Sequence, residues 1–292
     1  MLTLSEASNC LPVRPEACWR LYMGTIMARP SGSEGAGAML LAIDVGNTNI
    51  TAGVFEGEKL KGSWRLAPDV NRLADEYGVL MVNLLAHEGM GCEQVDAAVI
   101  GSVVPDLELV FESVCRRYFG VRPLVVSAGV RTGLRILYDS PRDVGADRVA
   151  DAVAAIRLYT PPLIIVDLGT ATVFDAISKD GDYVGGAIAP GLAIAAEALF
   201  QRAARLYRVE LARPKSAIGR NTAAAVQSGV IFGYVGLVEG MVGRFKEELG
   251  GEAKVVATGG WAQVMAAETP VIDVVDTDLT LTGLRFIYEM NC

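Results

Sequence analysis

One pattern occurs twice in this chain, and it restricts the fold more than any other feature. Leu40-Leu41-Ala42-Ile43 runs into Asp44-Val45-Gly46-Asn47-Thr48-Asn49, and Leu163-Ile164-Ile165-Val166 runs into Asp167-Leu168-Gly169-Thr170-Ala171-Thr172. Each copy is an apolar run, an aspartate, an apolar residue, a glycine, then small hydroxyl or amide residues. A short apolar run bounded by turn residues reads as a buried strand. A strand ending on Asp-x-Gly carries a carboxylate at its tip, and its turn has backbone that a ligand can approach closely.

The segments after each copy also correspond. Residues 50–55 and 59–66 read as two more strands around the turn Glu56-Gly57-Glu58, and residues 173–178 and 182–187 repeat that meander. The chain therefore reads as two βββαβα-like halves of α/β type. With 292 residues, 51% of them hydrophobic, it can bury a core in each half.

The remaining elements fall between these anchors. Residues 69–87 have helical spacing, with Leu73, Tyr77, Leu80, Leu84 and Leu85 on one side. Residues 95–104 form an apolar strand stopped by Pro105, followed by a helix at 106–119 and strands at 124–127 and 134–138. Residues 141–159 are a loop feeding a helix with Val149, Val153 and Ile156 inward. Pro161-Pro162 then breaks the chain, giving halves at 39–160 and 161–292. Helices are expected at 191–206, 221–249, 261–267 and 278–290, with a strand at 254–257. Residues 1–38 mix Pro, Gly, Ser and Cys without a period. They read as a disordered extension, or as sequence upstream of a true start at Met39.

Charge and composition exclude several classes. The net charge is −8, the pI is about 4.9, and no Lys/Arg run occurs, which disfavours a nucleic-acid partner. Small anionic substrates stay open, because backbone amides and a metal hold phosphates locally. The five cysteines (Cys10, Cys18, Cys92, Cys115 and Cys292) are odd in number and lack a C-x-x-C pair. A reducing, cytoplasmic compartment fits them better than a disulfide framework or a zinc site. The single histidine, His87, lies in the polar break His87-Glu88-Gly89 and reads as a surface residue, not the base of a Ser-His-Asp or Cys-His enzyme. No uninterrupted apolar stretch of membrane-spanning length occurs, so no membrane partner is expected.

Five constellations carry chemistry. In Asp44-x-Gly46-Asn47-Thr48-Asn49 the amides and hydroxyl suit a phosphate. Asp44 itself would act through Mg²⁺ or water, and the same residues also suit an ordinary hairpin turn. Asp167-x-Gly169-Thr170-Ala171-Thr172 repeats the turn, and two such turns across a cleft would clamp a polyphosphate from opposite sides. Thr258-Gly259-Gly260 leaves room for a flat base or ribose, or is a plain strand-to-helix turn. Gly145-Ala146-Asp147-Arg148 opens a helix. Its acid either caps the helix or points into the cleft as general base toward an alcohol, and Arg148 could take a substrate carboxylate by paired hydrogen bonds. Gly185-Gly186-x-Ile188-x-Pro190-Gly191 either offers helix amides to an anion or simply connects strand to helix. Neither G-x-x-x-x-G-K-[ST] nor G-x-G-x-x-G is present, which disfavours P-loop and Rossmann folds. Together these residues indicate a two-domain phosphotransferase that binds ATP.

The chain also resembles a known family, the type III pantothenate kinases of the bacterial coenzyme A pathway. The resemblance rests on Asp44-Val-Gly-Asn-Thr48, Ser102-Val-Val-Pro105, Tyr138-x-x-Pro141-x-x-x-Gly145-x-Asp147-Arg148, Asp167-x-Gly-Thr-Ala-Thr172, Gly185-Gly-x-Ile-x-Pro-Gly191, Gly219-Arg-Asn-Thr222 and Thr258-Gly-Gly260, in the family's order over residues 39–290. It implies duplicated ribonuclease H-like domains of the actin-like/Hsp70-like/sugar-kinase ATPase fold, with the ATP cleft between the halves. It also implies transfer of the ATP γ-phosphate to the terminal hydroxyl of pantothenate. In that case Asp147 is the general base, and Tyr138, Gly145, Ala146, Asp147, Arg148 and Thr222 bind pantothenate, Thr222 being open to contribution from a partner subunit. Asp44, Gly46, Asn47, Thr48 and Asn49 form the phosphate loop with Mg²⁺, while Thr170, Thr172, Gly259 and Gly260 line the nucleotide. Asp167 sits at a K⁺ or NH₄⁺ site, and the protein is a homodimer, with 221–249 as a candidate interface helix.

Two features depart from the pattern: Val173, where the family often has a third threonine, and the leader 1–38. The rival readings are a non-catalytic regulatory accessory factor of the same family, a kinase of another small alcohol such as a carboxylate-bearing acid or a sugar, and a chaperone or filament ATPase. Retention of Asp44, Asp147 and Asp167 favours catalysis.

Overall fold

Two five-stranded sheets carry the duplication seen in the sequence. The structure is a computed structural model that describes residues 38–203 and 206–292, so the expectation for the leader lies outside the described residues except for Ala38. The first sheet contains β1 (Met39–Val45), β2 (Ile50–Glu56), β3 (Lys59–Leu66), β4 (Val95–Ser102) and β5 (Leu124–Val125) in the order β3-β2-β1-β4-β5. The second contains β6 (Leu163–Leu168), β7 (Ala171–Ile177), β8 (Tyr183–Pro190), β9 (Lys254–Thr258) and β10 (Val274–Val275). Its order, β8-β7-β6-β9-β10, is the same. In both sheets the first three strands form an antiparallel meander and the other two run parallel to its first strand.

Alternation along the strands sorts side chains into two faces. On β1, Met39, Leu41, Ile43 and Val45 face α1 (Ala74–His87) and α2 (Pro105–Tyr118), where Tyr77, Met81, Leu85, Leu107 and Phe111 complete a core. Leu40 and Ala42 face the other way. With Leu163, Ile165 and Val256 of the second sheet they form one core that encloses α3 (Ala146–Leu158) and α7 (Leu279–Asn291). The C-terminal helix thus packs onto the first sheet. Leu281 and Leu284 would press on any Cβ placed at Gly53 or Gly101, at 2.8 and 2.9 Å, and Gly283 crosses directly over the Ala150 carbonyl. A third core lies on the outer face of the second sheet, under α4 (Leu192–Arg202), α5 (Thr222–Glu248) and α6 (Ala262–Ala266).

The structure departs from the sequence reading in a few places. Helix α1 begins at Ala74 because residues 69–72 form a turn: Asp69 accepts from the Asn71 and Arg72 amides at 3.0 and 3.1 Å, and the Asp69 amide donates to Tyr77 Oη at 2.8 Å. The Glu76 carboxylate accepts the Leu73 amide at 2.8 Å and starts the helix there. The stripe that goes inward is Tyr77, Met81 and Leu85, so Leu73 (68% exposed) and Leu80 face solvent. Residues 134–138 make only a bridge, Ile136 to Tyr183, which lays Tyr138 beside Tyr183. β10 has no counterpart in the sequence reading.

Among the described residues, α5 alone is long and apolar enough by length and composition to cross a membrane. One side of it, Val226, Val230, Tyr234, Val238 and Val242, is buried in the outer core of the second sheet.

Candidate active site

Asp44 and Asp167 occupy equivalent places, each one residue before the end of the central strand of its sheet. Asp44 lies on the same face as Leu40 and Ala42, and Asp167 on the same face as Leu163 and Ile165, so both carboxylates belong to the inner faces. The turn after Asp44 is closed by the Gly46 amide donating to the Asn49 carbonyl at 3.0 Å, and Asn47, Thr48 and Asn49 remain exposed.

The turn after Asp167 is closed by the Gly169 amide on the Ala171 carbonyl at 3.1 Å. Two glycine turns pack onto it. A Cβ at Gly191 would overlap the Thr170 carbonyl. One at Gly259, where φ is +90°, would overlap the Asp167 carboxylate and sit 2.6 Å from Leu168 C. Only glycine fits position 259 on both counts. The Trp261 amide donates to the Leu168 carbonyl at 3.1 Å and pins the 259–260 turn in place.

Between the two acids stands the first turn of α3. Asp147 Oδ1 accepts the Arg148 amide at 2.8 Å and lies over Gly145, while Ala146 Cβ is 3.7 Å from a Cβ position at Gly101 of the first sheet. One turn further on, Asp151 is buried (3% exposed) and accepts Thr280 Oγ1–H from α7 at 2.7 Å.

These acids feel one another. Burial, then the charges of Asp147 and Asp167, pushes the Asp44 carboxyl up to about 8. Burial, then Asp147 and Asp175, pushes Asp167 up to about 7. Asp151 is pushed well above the carboxylate range by burial and then by Asp167, against the pull of its Thr280 hydrogen bond. Carboxylates from both sheets and from α3 therefore share one poorly solvated space.

That donor set is all hard oxygen and carries excess negative charge, which suits Mg²⁺ and a monovalent cation that keep water and substrate oxygens in their shells. Among the described residues, no group of three or more Asp, Glu, His or Cys is arranged to hold a metal on its own. The residues thus fit cations that arrive with a phosphate ligand better than a resident protein-only cage.

Arg148 reaches Asp175 on the inner face of the second sheet. Its Nε and Nη2 both donate to Asp175 Oδ1, at 3.0 and 2.6 Å, and Tyr183 Oη donates to the same oxygen at 2.6 Å. The guanidinium lies 5.8 Å from the Tyr183 ring centre, and the Tyr138 ring packs edge-on to Tyr183 at 6.5 Å. Gly145, Ala146, Asp147, Arg148 and Tyr138 are thus brought together.

Two other expected site residues stand apart. Thr222 opens α5, where Asn221 caps the Ala224 amide at 2.8 Å. Thr222 lines a groove of about 690 Å³ with Leu199, Leu206 and Tyr234, beside the outer face of the second sheet. Thr172 is paired with Leu168 and so points to that outer face too, while Val173 shares the inner face with Asp167 and Asp175. The Thr172 hydroxyl is buried without a hydrogen-bond partner.

The sequence motifs do not include Asp151, Asp175 or Tyr183, although signals for two of them exist: Asp151 is four residues from Asp147 on one helix face, and Asp175 alternates in phase with Val173 along β7.

Comparison with known proteins agrees with this geometry. The family model for type III pantothenate kinase matches residues 40–244. Among solved structures, a conserved Campylobacter jejuni protein named as a Baf family transcriptional activator is 20% identical with a TM-score of 0.55, over 86% of this chain and 98% of that one. A Sinorhizobium meliloti protein named as a 2-dehydro-3-deoxygalactonokinase is 12% identical with a TM-score of 0.51, over 86% and 96%. MreB 5 of Spiroplasma citri bound to AMPPNP is 10% identical with a TM-score of 0.50, again over 86% and 96%. The two sheets of identical order and these neighbours make the fold the duplicated ribonuclease H-like, actin-like/sugar-kinase ATPase fold expected from the sequence.

Proposed function

The chain belongs to the type III pantothenate kinase family, and from that premise we propose that it phosphorylates pantothenate with ATP to give 4′-phosphopantothenate, the first step of coenzyme A biosynthesis. The observation that carries this reading is the position of Asp147. It sits at the N-terminus of α3, its charge acting on both Asp44 and Asp167, the acids that end the two matching strands.

ATP phosphates would lie between the turn 46–49 and the turn 169–170, with backbone amides and the Asn47, Thr48, Asn49 and Thr170 side chains as donors. The nucleoside would rest against Gly259 and Gly260. Mg²⁺ near Asp44 and K⁺ or NH₄⁺ near Asp167 would supply charge neutralisation when bound. The pantothenate hydroxyl attacks the γ-phosphorus as the bond to the β-phosphate oxygen breaks. ADP leaves with the bonding pair, and the Asp147 carboxylate takes the hydroxyl proton. Arg148, with Tyr138 near it, holds the pantothenate carboxylate.

The reading includes a homodimer in the cytoplasm. Gly229, Gly233, Gly236, Gly240 and Gly243 form an exposed stripe on α5, and a Cβ at any of them would meet nothing within 4 Å. A helix face this smooth suits close approach of the same helix from a second copy.

The accessory, non-catalytic reading gains from one residue. Val173 lies on the inner face with Asp167 and Asp175 and offers no hydroxyl to a phosphate. A coupled ADP-release assay with MgATP, with and without pantothenate, in K⁺ and in Na⁺ buffer, separates the two. Pantothenate-dependent ADP formation that requires K⁺ is the expected result. No ADP from a folded protein in either salt would overturn the kinase reading in favour of the accessory one.

A further inference from the structure

We infer that Asp175 and Tyr183 are positioning residues of the acceptor site, holding Arg148 by its Nε–Nη2 edge so that the opposite end of the guanidinium is offered to the acceptor's carboxylate. The inference rests on the kinase reading above and adds to it two residues and the end of Arg148 that meets the ligand.

Three donors converge on one oxygen. Arg148 Nε, Arg148 Nη2 and Tyr183 Oη all bond Asp175 Oδ1, at 3.0, 2.6 and 2.6 Å. The Arg148 side chain is 11% exposed and that of Asp175 only 2%. A guanidinium held through Nε and Nη2 cannot turn without breaking both bonds, so its third nitrogen has a fixed direction. Nη1 makes no hydrogen bond among the described residues and is not among the fully buried atoms that lack one, so it keeps some exposure, and Nη2 carries a second N–H beside it. Gly186 makes the arrangement possible, since a Cβ there would stand 2.8 Å from both Arg148 Nη2 and Asp175 Oδ1. Tyr138 packs edge-on against Tyr183 at the same place.

This narrows the contact that the sequence suggests. A free arginine offers a carboxylate more than one edge with paired N–H donors. Here the Nε–Nη2 edge is used inside the protein, so the ligand meets only the Nη1–Nη2 end of a group that loses no further freedom on binding. Rigid presentation of that kind supports affinity and alignment by lowering the ordering cost. Asp175 also offsets the Arg148 charge, so the site reads a carboxylate through directed N–H donors instead of through a bare positive charge.

A purely structural role, tying β7 to α3, predicts something different. It would lower stability and harm every acceptor equally. The test therefore compares pantothenate with its primary-alcohol analogue, in which a CH₂OH replaces the carboxylate, on the full-length protein with saturating MgATP. For the unmodified protein, kcat/KM should favour the acid at least roughly 10- to 100-fold, the worth of a hydrogen bond to a charged group. Tyr183→Phe should shrink that preference several-fold, and Asp175→Asn by about tenfold or more. Both effects should come mainly through the KM for the acid, so that the acid loses more than the alcohol in each variant. Calorimetric binding of the two acceptors gives the same ratio without turnover, so failure of the kinase reading (no ADP with either acceptor) is distinguishable from failure of this inference. Should Asp175→Asn not fold, Tyr183→Phe carries the test, because it removes one hydroxyl and keeps the ring. An acid-to-alcohol ratio that stays at the unmodified value in folded Tyr183→Phe, or acid and alcohol falling together, would overturn the inference.

Discussion

Replacing Asp44 by asparagine should make the protein more stable while ending its activity. The Asp44 carboxyl is raised from 3.8 to about 8, first by burial and then by Asp147 and Asp167. A group that binds its proton more tightly in the folded state than in the unfolded chain favours folding at low pH. Its contribution is neutral below about pH 4 and becomes increasingly unfavourable up to about pH 8, where it levels off. Each unit is worth about 1.4 kcal/mol, so the roughly three units between 3.8 and pH 7 set a ceiling near 4 kcal/mol. Asp44 is only partly buried by side-chain exposure, and solvent screening brings the expected gain to about 2 kcal/mol.

Asparagine has nearly the same shape and no charge to desolvate, so the penalty disappears with the substitution. The assay is urea unfolding at pH 5, 6, 7 and 8, in Na⁺ buffer with a chelator and no nucleotide. The unmodified protein should lose stability steadily toward pH 8. Asp44→Asn should lose less, with the largest gap between the two at pH 7 to 8, where the unfavourable Asp44 contribution reaches its full size. An Asp44→Asn protein that is less stable than the parent at pH 8, or one with the same pH slope, would refute the reasoning. In that case the carboxylate is solvated or paired in solution, and the acids of the two sheets do not share one space.

Other expectations follow from the same geometry. Asp147→Asn should lower kcat by roughly 10²- to 10⁴-fold, while nucleotide and pantothenate binding by calorimetry stay within a few-fold of the parent. Gly259→Ala combines an unfavourable backbone at φ +90° with overlap on Asp167, and should cost about 2 kcal/mol or more in urea unfolding. Thr172→Val removes a buried hydroxyl with no partner, so stability should rise by about 1 kcal/mol and the KM for ATP should not change; a raised KM would place that hydroxyl on the nucleotide after all. Gly236→Leu on the open stripe of α5 should leave chain stability within about 1 kcal/mol but shift sedimentation from dimer to monomer.

The parts of this molecule that were legible in the sequence are those set by neighbours in the chain. The strand ends at Asp44 and Asp167 follow from apolar runs meeting turn residues, and β3 runs from Lys59 to Leu66 as read, because glycine turns and alternation fix it locally. The α1 stripe differs from its sequence pattern for a reason that is also local. Leu73 and Leu80 have the right period, but Tyr77, which holds the turn at 69–72, faces inward with Met81 and Leu85 and leaves both leucines toward solvent.

What the sequence could not give is the pairing of groups far apart. Arg148 and Asp175 are 27 positions apart, and nothing along the chain says that the fork of one is filled by the other. Thr172 shows the same limit at short range. It sits beside Val173 in an attractive polar motif, yet the loop after Asp167 sets a register in which Leu168 pairs with Thr172, and a shift of one residue would have exchanged the two faces. The motif and its register are thus separate pieces of information. The threonine most conspicuous in the sequence points away from the acids. The valine next to it, which offers a phosphate nothing, stands on their side, so substitution at 173 bears on how tightly the site holds a nucleotide more directly than any change at 172.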